Sequence, residues 1–191
     1  MLSLAPSDID STSLSLYKFN FDLAQAAYDS DDSKFLHVAS TKYKSKVFKL
    51  ILKGEITTNG INVADFPGNP HSVGFRFTND EDSANLESLT DLLRDLNEAD
   101  DNWDVKDLLK NDVIYLKLKL SKDKTKYAFS SDIKLDPKKP HDSPLHRHQQ
   151  VEVSANLNAY FNFKDKMMGL SLQILNIKTK GEEPTKKKRK D

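Results

Sequence analysis

Residues 149–180 read QQVEVSANLNAYFNFKDKMMGLSLQILNIKTK. Val151, Val153, Ala155, Leu157, Ala159, Phe161 and Phe163 fall on every second residue, with Glu152, Ser154, Asn156, Asn158, Tyr160 and Asn162 between them. Side chains of an extended chain point alternately to its two sides, so this period predicts a strand with one buried and one wetted face. Lys164-Asp165-Lys166 and Gly169 interrupt the pattern, and Leu170, Leu172 and Ile174 restart it. The alternation slips at Leu175 and resumes at Ile177, which predicts a bulge. Two long strands joined by a short Gly-containing loop make a hairpin. Its outer face holds asparagine, serine and tyrosine with a single charge. It is a candidate contact face, the alternative being a plain solvated sheet face.

A chain of 191 residues suits one domain with a substantial core. Cysteine is absent, which excludes disulfides and thiolate metal sites and fits a reducing compartment. No secretory h-region and no apolar run of membrane-spanning length occurs, so a soluble, intracellular protein with no membrane partner is expected. The formal net charge is zero, but it is unevenly spread. Residues 80–112 carry twelve acids against Arg94, Lys106 and Lys110, a local net of −9, so the remainder carries +9.

Residues 1–15 lack a sustained period and read as a flexible arm, ahead of a domain over 16–180. A short strand is expected at 16–21, a helical turn at 23–28 and a strand at 35–39. Lys42, Lys44, Lys46, Lys49 and Lys53 then occur with no acid among them, Tyr43 inside the cluster and Phe48, Leu50 and Leu52 alternating. Asn59-Gly60 predicts a tight hairpin turn, because both residues tolerate positive φ. Val73, Phe75 and Phe77 alternate as a strand with Arg76 outward. Leu86, Leu89, Leu92, Leu93 and Leu96 form a stripe at helical pitch over 83–99, with Asp80–Asp82 at its positive end and Ser83 or Asp82 as cap. A second short helix is expected at 104–110, anchored by Trp103. Strands at 113–121 and 127–135 bring Lys117, Lys119, Lys122, Lys124, Lys126 and Lys134 beside Tyr115, Tyr127 and Phe129. Residues 136–149, rich in proline and histidine, predict a long irregular loop.

No arrangement for catalysis emerges. A phosphate-binding glycine loop, a nucleophile elbow and a cysteine nucleophile are all missing from the sequence. His141, His146 and His148 have a spacing that recurs by chance, so neither metal nor cofactor is expected, and the protein reads as a non-enzyme. Residues 181–191, GEEPTKKKRKD, contain no apolar side chain and read as a disordered basic tail. Lys186, Lys187, Lys188, Arg189 and Lys190 follow a proline, as in a nuclear localisation signal that lies in the acidic groove of an import receptor. The alternative is a tail that favours any polyanion.

Strands at 44–58, 61–66 and 73–77, a helix at 83–99, and strands at 113–121 and 127–135 give the order β-β-β-α-β-β, followed by the C-terminal hairpin. The expected fold is therefore mainly β with one principal helix, an OB-fold-like Greek-key barrel. Lysines interleaved with aromatic rings suit single-stranded nucleic acid, the cations tracking phosphates and the rings stacking unpaired bases at roughly 1–3 kcal/mol each. The candidate phosphate contacts are Lys44, Lys46, Lys49, Arg76, Lys117 and Lys119. Tyr43, Tyr115, Tyr127 and Tyr160 are the candidate platforms. The bland alternative is a sheet whose lysines only keep its edges soluble.

Val151–Asn156, Tyr160 and the Gly-led run Gly169–Ile177 resemble the closing hairpin of viral and phage single-stranded DNA-binding proteins with an enlarged OB-fold. That resemblance covers about thirty residues together with the element order and implies a non-catalytic replication and recombination protein that coats exposed strands. It departs at the tail, which in phage members is acidic and recruits replication proteins, whereas this sequence carries KKKRK. The expectation is a sequence-tolerant single-stranded DNA-binding protein of a DNA virus, working in the host nucleus. Further partners open to it are an import receptor, replication proteins and a second copy of itself. A structural or capsid-type β-sandwich with a nuclear-targeting tail is the alternative.

Overall fold

The structure is a computed structural model that describes residues 1–30, 34–63, 70–97 and 102–180. In chain order the elements are β1 (Leu2–Leu4), β2 (Leu14–Leu16), α1 (Phe21–Asp29), β3 (Leu36–Tyr43), β4 (Phe48–Ile56), β5 (His71–Phe77), α2 (Asp80–Ser88), α3 (Asp91–Asn97), β6 (Asp104–Val105), β7 (Ile114–Leu118), β8 (Ser130–Ser131), β9 (Gln150–Asn162) and β10 (Met167–Thr179). The fold is mainly β, with its principal helical segment between β5 and β7.

The hairpin of β9 and β10 is the spine, as its alternation requires. Its register runs from Met167 opposite Asn162 to Thr179 opposite Val151, and it shifts between Ile174 and Asn176, placing the bulge at Leu175. The turn is 163–166. Gly169 lies within β10 opposite Tyr160, not in the loop where the sequence suggested it.

Five strands pair in a closed cycle. β4 pairs with β5, β5 with β7, β7 with β10, β10 with β9, and β9 with β4. All these contacts are antiparallel except the parallel one between β7 and β10, made at Lys117 and Gln173. Numbered by appearance, the cycle runs first, second, third, fifth, fourth and back to first. Leu50, Leu52, Ile56, Val73, Phe75, Ile114, Leu116, Leu118, Val151, Val153, Phe161, Leu172 and Ile174 point into it and are almost fully buried. Each such side chain contributes roughly 1.5–3 kcal/mol of burial. Gly54 faces inward on β4, where a Cβ would stand 2.0 Å from the Arg76 carbonyl oxygen and 2.7 Å from the Phe75 ring. A side chain there would keep β5 from closing on β4.

β3 and β4 together track one partner. Ser40 stands opposite Asn158 and Leu50 opposite Ala155, so ten residues pass while β9 advances three. The surplus loops out and reverses at Lys44 and Ser45, both at positive φ (48° and 62°). β1 pairs with Phe48–Leu50 and β2 with Thr41–Tyr43, flanking the excursion. Two expectations change here. The strand expected from residue 44 starts at Phe48, and the supposed flexible arm is packed. Pro6, Ile9 and Leu14 are buried, and the Asn85 amide donates to the carbonyls of Pro6 and Ile9 (2.7 Å for the latter).

Other expectations also shift. The strand at 61–66 reduces to a bridge between Asn62 and Ser72, with 64–66 outside the described residues. The strand at 127–135 reduces to β8 beside Asn176–Ile177, after a turn that Asp123 holds by accepting from Ser121 Oγ (2.6 Å) and from Thr125. The leucine helix starts at Asp80, not Ser83. Asn79 caps it by accepting from the Glu81 amide (2.8 Å), and Leu89-Thr90 breaks it into α2 and α3. Leu86, Leu89 and Leu93 are fully buried, as the stripe demands. Residues 104–110 form no helix, and β6 pairs with Met167–Met168 instead. Trp103 anchors this segment, its ring 5.1 Å from both Phe21 and Phe163. The helical segment thus falls between the second and third strands of the cycle, not between the third and fourth main strands. Among the described residues, no helix is long and apolar enough to cross a membrane.

Candidate nucleic-acid interface

The outward residues of β7, β10 and β9 make one continuous face. On β7 these are Tyr115 and Lys117. Gln173 of β10 lies between Lys117 on one side and Asn156 on the other, and Ser171 is opposite Asn158. Next along β10 is Gly169, and its missing side chain sets the local geometry. A Cβ there would stand 2.4 Å from the Tyr160 hydroxyl and 2.6 Å from Cζ, so the Tyr160 ring lies flat across β10 in the space that the glycine leaves.

Lys117 reaches over β10 and places Nζ 5.5 Å from the centre of that ring. Such a contact is worth about 0.5–1 kcal/mol at an exposed site and about 2 kcal/mol when desolvated, and this half-buried pair lies between the two. Burial holds the Lys117 ammonium below the usual lysine pKa, because the charged form gives up water. Burial also raises the Tyr160 hydroxyl, while Lys106 pulls it down and Asp104 pushes it up. Lys106 and Asp104 are themselves joined, Nζ to Oδ2 at 2.6 Å. Tyr115 is 50 % exposed, and Lys119 extends the same side of the chain into the 121–126 turn with its exposed lysines.

The other residues selected from sequence lie elsewhere. Tyr43 is buried, donates its hydroxyl to the Asp8 carbonyl (3.3 Å) and packs on Phe48. Tyr127 is buried, with its hydroxyl 2.8 Å from His71 Nδ1 and its ring stacked on Phe129. Burial pushes its pKa up to about 12. Neither ring has a face free for a base, so both are core residues rather than platforms. Their alternation with lysines in sequence concealed this.

Arg76 is outward as expected but faces acid. It pairs with Glu55 Oε1 at 3.6 Å and lines a cleft of about 570 Å³ with Asp80, Glu87 and Asp112. Lys44 and Lys46 sit at the tip of the excursion. Lys44 leans on the Tyr43 ring (5.3 Å) and adds the smallest pull on Asp10, whose carboxyl the Thr12 hydroxyl and amide chiefly hold down. Lys49 is half-buried beside Ser3 of β1. The structure therefore brings Lys117 and Tyr160 together, keeps Tyr115 and Lys119 on the same side of the chain as Lys117, and leaves the rest apart. The basic run Lys186–Lys190 lies outside the described residues. Among the described residues, no three His, Asp or Glu side chains are grouped to hold a metal ion, and His148 Nδ1 faces Glu55 at 3.6 Å.

One ring was missed. Tyr17 is 38 % exposed on the same outer surface, with the ammonium of Lys42 4.0 Å from its centre and that of Lys18 at 5.1 Å. Nothing in the spacing of residues 17 and 42 reveals this, because it depends on the register of β2 against β3.

No protein-family model matches this chain, and no curated protein matches it.

Proposed function

We propose that the protein binds single-stranded DNA without strong sequence preference and does so on an OB-fold barrel. The strand cycle supports the fold reading. A five-stranded Greek-key closure in the order one, two, three, five, four, with a parallel contact between the third and fifth strands, is how an OB-fold is wound. In that fold the outer face of the second and third strands, with the first and last inter-strand loops, takes oligonucleotides. β7 is the third strand here.

The observation that carries the proposal is Lys117 over Tyr160, with exposed Tyr115 on the same strand as Lys117. A flat ring bearing a cation suits a base and its phosphate together, since stacking ignores base identity and the ammonium neutralises the backbone. Asn156, Asn158 and Gln173 around it, all partly exposed, offer uncharged donors and acceptors. The acidic helical segment lies beside β5 and the Arg76 cleft. Replication or recombination in the nucleus of a virus-infected cell is the setting we propose, and the basic run at 186–190 supports import.

The test is fluorescence anisotropy with labelled oligo-dT and a matched duplex, using the full chain and a chain with Lys186–Lys190 neutralised. Preference for oligo-dT that survives neutralisation is the expected result. Binding that vanishes with the tail would defeat the proposal.

A further inference from the structure

We infer that the bound strand does not end at Tyr160 but crosses β9 and β3 to a second base-stacking site at Tyr17, where Lys42 and Lys18 take the flanking phosphates. This rests on the single-strand-binding reading above and extends it to residues that the OB-fold face of β5 and β7 does not include.

The register defines the route. Tyr160 on β9 stands opposite Val38 on β3, and Asn158 stands opposite Ser40. Tyr17 follows β2 directly, and its amide donates to the Ser40 carbonyl at 2.8 Å. Ser15 opposite Lys42 and Tyr17 beside Ser40 point outward, whereas Leu14 and Thr41 are buried on the other side. Tyr160, Val38, Ser40 and Tyr17 therefore share one surface. Two inter-strand spacings and a two-residue step separate the rings, on the order of 12 Å, which a few nucleotides span.

The chemistry along this route is graded. Lys117 and Tyr160 stand at one end, and Asn158, Ser40 and the 62 %-exposed Val38 lie between, none of them charged. Tyr17 closes the other end with two ammonium groups at 4.0 and 5.1 Å from its ring centre. An exposed ring that holds two lysines together gathers positive charge where repulsion would otherwise separate it. A phosphodiester relieves that repulsion while its base stacks on the ring, and polyanion binding is strongest where cations are clustered.

Two lengths of oligo-dT test this, one of about 4 nucleotides and one of about 16, titrated into the full chain and its Y17A, Y17F and K42Q variants. The inference expects Y17A to weaken the long oligonucleotide by about 5- to 150-fold and to leave the short one unchanged, with Y17F close to the parent. K42Q should weaken the long oligonucleotide and flatten its salt dependence. Equal affinities for parent and Y17A with the long oligonucleotide would overturn the inference and leave the binding reading intact. Failure of the parent to bind either length would overturn both.

Discussion

Lys117 and Tyr160 meet across an intervening strand, the ammonium 5.5 Å from the ring centre, because Gly169 of β10 has no side chain to hold them apart. That glycine joins the fold to the proposed function. It lets a tyrosine lie flat on a sheet, and a flat ring beside a cation is what an unpaired base can use.

Tyr160→Ala should weaken oligo-dT binding by about 1–3 kcal/mol, the value of one stacked base, with a smaller loss of stability than a core truncation, since the ring is half-buried on the outer face of the sheet. Tyr43→Ala should do the opposite, costing about 3–5 kcal/mol of stability as a buried aromatic truncation. Paired titration and thermal unfolding curves separate the two. Tyr43→Ala that melts like the parent and binds poorly would return Tyr43 to the interface.

Glycine substitutions give a second contrast. Gly169→Ala sets a methyl group against the free end of the Tyr160 ring, which can swing away, so binding should fall while the protein stays folded. Gly54→Ala meets the Arg76 carbonyl at 2.0 Å, and backbone cannot swing. It should cost about 1–3 kcal/mol of stability or more, as overpacking does, read by urea denaturation.

Alkaline pH should loosen the complex earlier than ordinary lysines would. Burial holds Lys117 below the usual lysine value in the free protein, whereas a bound phosphate favours its charged form. Binding then takes up a proton, and affinity falls as pH rises through the lowered pKa. Lys117→Arg, which stays charged, should move that fall to higher pH. Identical pH profiles for parent and variant would remove Lys117 from the contact.

His71 makes stability depend on acid. Burial lowers its pKa from 6.5, so the folded state favours the neutral ring whose Nδ1 lies 2.8 Å from the Tyr127 hydroxyl. Between the lowered value and 6.5 the unfolded chain binds the extra proton, so this contribution is complete above 6.5 and declines as pH falls below it. Denaturation midpoints from pH 7.5 to 5 should show that loss, and His71→Gln should lack it.

Strong periodicity made the hairpin legible. Thirteen-residue strands with a sustained apolar alternation, unbroken in β9 and slipped once in β10, have one way to face a core, and the slip at Leu175 marked the bulge. The leucine stripe was equally plain, though not its break at Leu89-Thr90. What escaped were pairings between distant segments. Residues 127–135 alternate well enough for a strand, yet β10 accepts only Ser130–Ser131, because β6, β7 and β8 share its edge in turn. The site was half legible for the same reason. Tyr115, Lys117 and Lys119 announce themselves on one strand, whereas the burial of Tyr43 and Tyr127 and the union of Tyr17 with Lys42 depend on register.

The most direct measurement is the salt dependence of oligo-dT affinity, set against that of a duplex of equal length. With three to five lysines engaged, the logarithm of affinity for oligo-dT should fall with the logarithm of salt at a slope of about −2 to −3.5. Oligo-dT should also stay the tighter ligand throughout, because duplex bases are not free to reach Tyr160. A slope near zero, or a duplex bound as tightly as oligo-dT, would contradict the account.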